Sequence, residues 1–246
     1  MNQQSMSETA HPQLQTRQDL AACYRLMDHF AMTDLISTHL SARLPNTETI
    51  LINRYGLLFN EITASNLLTI PIAGAEADDT NPAGHLIHTA IHSGRPDVAC
   101  VIHTHTAAGV AVSCQKNGLL PISQHALQFY NRIGYHDYEP SADYEAEKRA
   151  LVRDLSGHNT LILRNHGLLT VGRTIAEAFI LMFNLERACQ IQVRALAGNP
   201  ELSTIHENVC AWVAEQFQTF GNMAVGEAEW GALMRLVRKI APDFAS

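Results

Sequence analysis

The stretch Val98-Ala99-Cys100-Val101-Ile102-His103-Thr104-His105 decides how this chain is read. Val98 to Ile102 is apolar and partly β-branched, which predicts a buried strand running into two histidines. Alternate strand residues face one side, so His103 and His105 point the same way with Cα atoms roughly 6–7 Å apart. Two neutral imidazoles so placed can converge on one divalent metal at about 2.0–2.1 Å each. A third histidine has a similar setting: Leu161-Ile162-Leu163-Arg164-Asn165-His166-Gly167 is an apolar strand ending in His-Gly. The glycine would allow close backbone approach and a positive-φ turn. His103, His105 and His166 together predict an open metal site. The other reading of the same residues is a polar strand end and an unrelated turn. Histidine ligation suits zinc, iron, manganese or nickel alike.

Around these strands the chain has an ordinary globular composition. It is 246 residues long and 46% hydrophobic, which leaves one large core or two small ones open. A formal net charge of −7 and no basic cluster argue against nucleic acid or an anionic membrane as main partner. No apolar run is long enough to span a bilayer, and Met1–Gln18 lacks a signal-peptide core. The five cysteines are unpaired in spacing and read as reduced thiols of a cytoplasmic protein. Thirteen histidines are many, and most fall between His85 and His166.

Residues 1–16 are polar and aperiodic and read as a flexible tail, with one α/β domain over 17–246. Leu20, Tyr24, Met27 and Ala31 recur at helical spacing, predicting a first helix over 17–33. Strands are expected at 38–44, 49–55 and 69–72, with a helical turn at 63–68. The Gly74–Thr80 loop contains Asp78-Asp79, a solvated pair rather than an acidic metal site. Asn81-Pro82 opens a helix over 82–93, where His88 and His92 lie four apart on one face. No glutamate separates them as zinc-protease chemistry needs, so packing or hydrogen bonding suits His88 better than ligation. Further helices are expected at 107–116 and 142–155, and strands at 160–163 and 168–171. Thr174-Ile175-Ala176-Glu177 has capping-box form and opens a long helix to about Ala197. Two more helices read over 201–240.

Several short blocks in order resemble the class II aldolase and adducin family. They are Asn81-Pro82-Ala83-Gly84-His85-Leu86-Ile87-His88, Arg95-Pro96-Asp97-Val98, His103-Thr104-His105 and Leu163-Arg164-Asn165-His166-Gly167. Gly134-Tyr135-His136-Asp137-Tyr138 and Asn184-Leu185-Glu186-Arg187 support the match, which spans roughly 17–198. The resemblance implies a three-layer αβα fold with a central, mainly antiparallel sheet. It implies a divalent metal, zinc first with iron or manganese as alternatives, held by His103, His105 and His166. It also implies a small-molecule substrate and a homotetramer with sites near subunit interfaces. In the family's enzymes the metal polarises a ketose carbonyl and stabilises the charge that develops on carbon–carbon cleavage.

This chain departs from that pattern where proton transfer and phosphate binding are expected. The family's basic glutamate, four residues before the helical histidine, falls at Gly84. The phosphate-binding block reads Thr38-His39-Leu40-Ser41-Ala42-Arg43, and a hydroxyl pair is replaced by Pro82-Ala83. A buried phosphate would lose donors there, so a phosphorylated sugar is not the expected substrate. A catalytic tyrosine aligns loosely with His125. His125 and His85 are therefore the candidate acid–base groups. His39, Asn53 and Gly84 are candidate substrate contacts, and Tyr135 and Tyr138 suit either pocket or core. The expected function is a metal-dependent lyase, aldolase- or decarboxylase-like, cleaving a carbon–carbon bond beside a carbonyl. The alternatives are an iron-dependent oxygenase of the same fold and a non-catalytic protein like the adducin head.

Overall fold

Seven short strands, most of them buried along nearly all their length, build a central sheet. They are β1 (His39–Arg43), β2 (Thr49–Ile52), β3 (Leu68–Pro71), β4 (Cys100–Thr104), β5 (Gly134–His136), β6 (Thr160–Leu163) and β7 (Gly167–Gly172). Their order is β3-β2-β1-β4-β7-β6-β5, and every pairing is antiparallel except β5 with β6. The computed structural model describes residues 3–74, 78–138, 143–219 and 223–246. Helices α1 (Gln3–His29), α2 (Pro82–Gly94), α3 (Ala107–Ser113) and α4 (Gln124–Leu127) are followed by α5 (Tyr144–Leu155), α6 (Ile175–Ala195), α7 (Glu207–Thr219) and α8 (Glu227–Ile240).

The period of two along each strand sorts side chains into two cores. Leu40, Ala42, Leu51, Cys100, Ile102, Ile162 and Leu168 face α1, α3, α6 and α8, packing on Leu20, Val112, Phe179 and Met234. Their neighbours Val101, Leu161, Leu163, Leu169 and Val171 face the other way, onto Ile87 and Ile91 of α2 and Leu151 and Leu155 of α5. The result is the three-layer αβα arrangement expected from the sequence.

Local chemistry fixes where the helices begin. Asn81 Oδ1 accepts from Gly84 N at 3.2 Å, with Pro82 in the first helical position. Thr174 Oγ1 accepts from Glu177 N at 3.0 Å, and the Glu177 carboxylate accepts from Arg173 N. Tyr24 of α1 ties the helix to the sheet: its hydroxyl accepts from Leu40 N and Asn53 N at 2.9 and 3.1 Å.

Three expectations need correction. The first helix begins at Gln3, so the stretch read as a flexible tail is helical from there; residues 1–2 lie outside the described residues. Extending a helix costs less than starting one, so a helix anchored by Leu20, Tyr24 and Met27 can continue backwards into polar sequence. The turn expected over 63–68 is shorter, covering 64–66 before β3 begins at Leu68, and a 3₁₀ turn at Phe59–Glu61 precedes it. The fifth helix starts at Tyr144, and Ala142 lies outside the described residues. Of the Gly74–Thr80 loop, residues 75–77 are not described, and Asp79 pairs with Arg54 at an exposed position. No helix among the described residues is long and apolar enough to cross a membrane.

Candidate metal centre

The histidines reach one place because β4 sits at the middle of the sheet with β1 on one side and β7 on the other. His103 is the fourth residue of β4 and pairs with His39 of β1 and Leu169 of β7. His105 lies just past the strand. Thr106 then turns the chain into α3, its hydroxyl donating to the buried Glu186 carboxylate of α6. His166 is the last of three residues linking β6 to β7, which are paired through Leu163 and Gly167. The positive φ in that link belongs to Asn165, at 56°, and not to Gly167 as the sequence suggested. Gly167 serves the other purpose, close approach: a Cβ there would stand 2.3 Å from the Thr104 carbonyl oxygen.

His103, His105 and His166 converge through their Nε2 atoms. His105 Nε2 lies 2.8 Å from His103 Nε2 and 3.0 Å from His166 Nε2. The outer nitrogens of two rings are occupied. His103 Nδ1–H donates to the Leu168 carbonyl at 3.0 Å, and His105 Nδ1–H to Asp34 Oδ2 at 3.1 Å. A neutral imidazole with its proton on Nδ1 has a bare lone pair on Nε2. Two such lone pairs facing each other at 2.8 Å are brought together by a shared proton or by a metal ion. Burial, and then the neighbouring imidazoles, hold His103 well below the usual histidine pKa and His166 at about 4. Imidazole nitrogens aimed at one point, two of the three rings backed by an acceptor, are what a divalent ion requires. A cavity of about 380 Å³ opens beside His166, lined also by Pro82, Ala83, Leu86, Tyr138 and Arg164.

Of the other predicted residues, His39 and Gly84 join this site. The His39 ring lies 5.1 Å from that of His103, centroid to centroid, and its Nδ1 is 2.8 Å from His88 Nε2. His88 continues to the Ser41 hydroxyl, which is 2.9 Å from His92 Nε2, so the helix histidines are hydrogen-bonded and not ligating. His85 is buried on α2, one helical turn before His88. Asn53 is spent inside the fold, its Oδ1 2.8 Å from the Tyr24 hydroxyl. His125 sits on α4, half-buried, and no described contact links it to the triad within one chain. Tyr138 is exposed with its ring 6.2 Å from His166, whereas Tyr135 packs beneath the Arg164 guanidinium.

Three participants escaped sequence reading. Asp34, on the loop after α1, carries no local motif. Ser41 and His92 were visible only as a strand residue two past His39 and a helix residue four past His88. Their meeting depends on how α2 crosses the sheet.

Residues 18–193 match the family model described as class II aldolase and adducin N-terminal domain. A solved aldolase II superfamily protein from Pseudomonas syringae is 44% identical, with a TM-score of 0.88 over 96% of each chain. An L-fuculose 1-phosphate aldolase from Glaciozyma antarctica is 25% identical, with a TM-score of 0.81 over 96% of this chain and 94% of that one. Alpha-adducin of Rattus norvegicus is 44% identical over 192 residues, 74% of this chain but 26% of the longer protein.

Proposed function

Because the chain belongs to the class II aldolase and adducin family, we propose that it is a metal-dependent lyase, cleaving a carbon–carbon bond beside a carbonyl in a small oxygenated substrate. His103, His105 and His166 would hold the metal, zinc in the first instance. The observation that carries this reading is the convergence of three Nε2 atoms, His105 Nε2 lying 2.8 Å from that of His103 and 3.0 Å from that of His166, with the Leu168 carbonyl and the Asp34 carboxylate behind two of the rings. Such an ion acts as a Lewis acid on a carbonyl oxygen and stabilises negative charge as the bond breaks.

The chain's own residues set the substrate's surroundings. The cavity beside His166 sets two lining carboxylates, Asp137 and Glu147, against one lining arginine, Arg164, and Pro82 and Ala83 bring no hydroxyl of their own. This wall favours a substrate without a phosphate. Cleavage of a carboxylated substrate by loss of carbon dioxide needs no proton abstraction from carbon, which suits a chain with glycine at 84. His125 and His85 remain proposed acid–base groups, His125 only if a second subunit brings it near. The tetramer is part of the same proposal, supported by the exposed Trp212 and Met223 that border an apolar groove. So is a cytoplasmic setting, supported by five free cysteines.

The test is metal analysis of the purified protein beside His103→Ala and His166→Ala, with turnover of hydroxycarbonyl and carboxylated substrates under nitrogen. Near-stoichiometric zinc or manganese lost in both variants, with anaerobic turnover, is expected. Iron with oxygen uptake during turnover would replace the lyase with an oxygenase. A second reading has an observation behind it: the identity to alpha-adducin, 44%, exceeds that to the fuculose phosphate aldolase, 25%. A wild-type protein that takes up no metal would put the non-catalytic reading first.

A further inference from the structure

We propose that His39 and Gly84 form one interlocked position beside the triad, at which the imidazole of His39 faces a bound substrate in the space that a side chain on residue 84 would otherwise fill. The proposal rests on the triad being the metal and substrate centre.

Sheet register places His39 directly opposite His103, and their rings are tilted by 35° at 5.1 Å. On its other side the ring meets α2. A Cβ on Gly84 would lie 2.7 Å from His39 Cδ2 and 3.0 Å from its Cγ and Nε2, closer than packed atoms come. The ring has no room to withdraw. Its Nδ1 is held 2.8 Å from His88 Nε2, and His88 is held in turn by the Ser41 hydroxyl, with His92 Nε2 beyond it. His39, Ser41, His88, His92 and His103 are all at most 2% exposed, so the ring is held in place on the His88 side and cannot swing away from α2.

The backbone gives no separate reason for glycine here. Gly84 is helical and has no positive φ. Inside a helix, glycine is the least favourable residue short of proline. The feature that requires it is the imidazole over its Cα. With Nδ1 committed to His88, Nε2 is the hydrogen-bonding atom His39 has left for a ligand. It can donate or accept, according to the tautomer that the His88–Ser41 chain selects. The substrate therefore meets a hydrogen-bonding group from β1 that can donate or accept, and not a fixed acceptor from α2.

A double-mutant cycle in thermal unfolding of the metal-free full chain tests the interlock. Gly84→Ala should lower Tm in the wild-type background, yet raise it in the His39→Ala background, where the methyl group has space and the helix gains a better residue. A Gly84→Ala effect of the same sign in both backgrounds would overturn the interlock. Placement beside the triad is read with His39→Ala/Gly84→Glu, titrated with cobalt(II). A carboxylate reaching from residue 84 should tighten cobalt binding at least tenfold over His39→Ala alone, and unchanged affinity would overturn that placement. If wild-type protein binds no cobalt, the metal reading fails, while the unfolding cycle, which needs no metal, still decides the interlock.

Discussion

Gly167→Ala gives a sharp test of the geometry that brings His105 and His166 together. The added Cβ would stand 2.3 Å from the Thr104 carbonyl oxygen, and contacts below 3.0 Å are essentially never seen for a real Cβ. The distance must grow by at least about 0.7 Å, and by about 1.1 Å to reach ordinary contact. The opposing atom is backbone, fixed by the Thr104–Leu168 and Leu163–Gly167 pairings, so strand β7 has to move off β4. Overpacking of this kind costs about 1–3 kcal/mol. For a chain of this size that lowers Tm by about 2–4 °C for each kcal/mol. The same shift separates His166 from His105, and ligand distances tolerate only about ±0.2 Å. Metal affinity should fall by about a hundredfold or more, which is at least about 2.7 kcal/mol. Saturating zinc would then protect the variant against heat far less than it protects the wild type. The assay is calorimetric unfolding with and without zinc, with Gly157→Ala as control. No heavy atom lies within 4 Å of a Cβ there and its φ is not positive, so it should be neutral or slightly stabilising. A Gly167→Ala protein with unchanged Tm and an unchanged zinc-induced shift would refute the reasoning.

Two more predictions follow from partners described above. Asp34→Ala removes the carboxylate behind His105 and should weaken metal binding about 10- to 100-fold with little effect on the metal-free Tm, as isothermal titration would show. Acid should destabilise the metal-free protein through its buried imidazoles. Burial holds His92 at about 3 and His166 at about 4, so between those values and the unfolded value of 6.5 the unfolded chain binds more protons. This contribution is complete above about pH 6.5 and is lost as pH falls through the folded values; urea midpoints that rise on acidification from pH 7 to 5 would contradict it.

Much of this was legible because it depends on local chemistry. Asn81-Pro82 and Thr174-x-x-Glu177 mark helix starts with side chains that satisfy the first backbone N–H groups, and both caps form. His103 and His105 follow an apolar run, and such runs are buried wherever the sheet goes. The pairing of His39 with His103 was not legible, because strand register between β1 and β4 is set by packing across the 56 residues between them, 44–99. The contact of Asn53 with Tyr24 was hidden for the same reason, its partner coming from a distant helix. Asp34 stands where sequence offers only the end of a helix. Asn and Gly both tolerate left-handed backbone, so the strand-end sequence could not say that Asn165 takes the turn and Gly167 the close contact.

The interlock of residues 39 and 84 also bears on ancestry. Two side chains that exclude one another cannot be exchanged in either order. A lineage that moves from a large residue at 84 to an imidazole at 39 does so most easily through a vacant form, small at both positions, because the crowded form sets the two side chains closer than packed atoms come. The vacant form leaves a hole beside the triad that water or a larger substrate can enter. Relatives of this chain should then fall into three genotypes of the possible four, and the vacant one is where a broadened substrate range would have been exposed to selection.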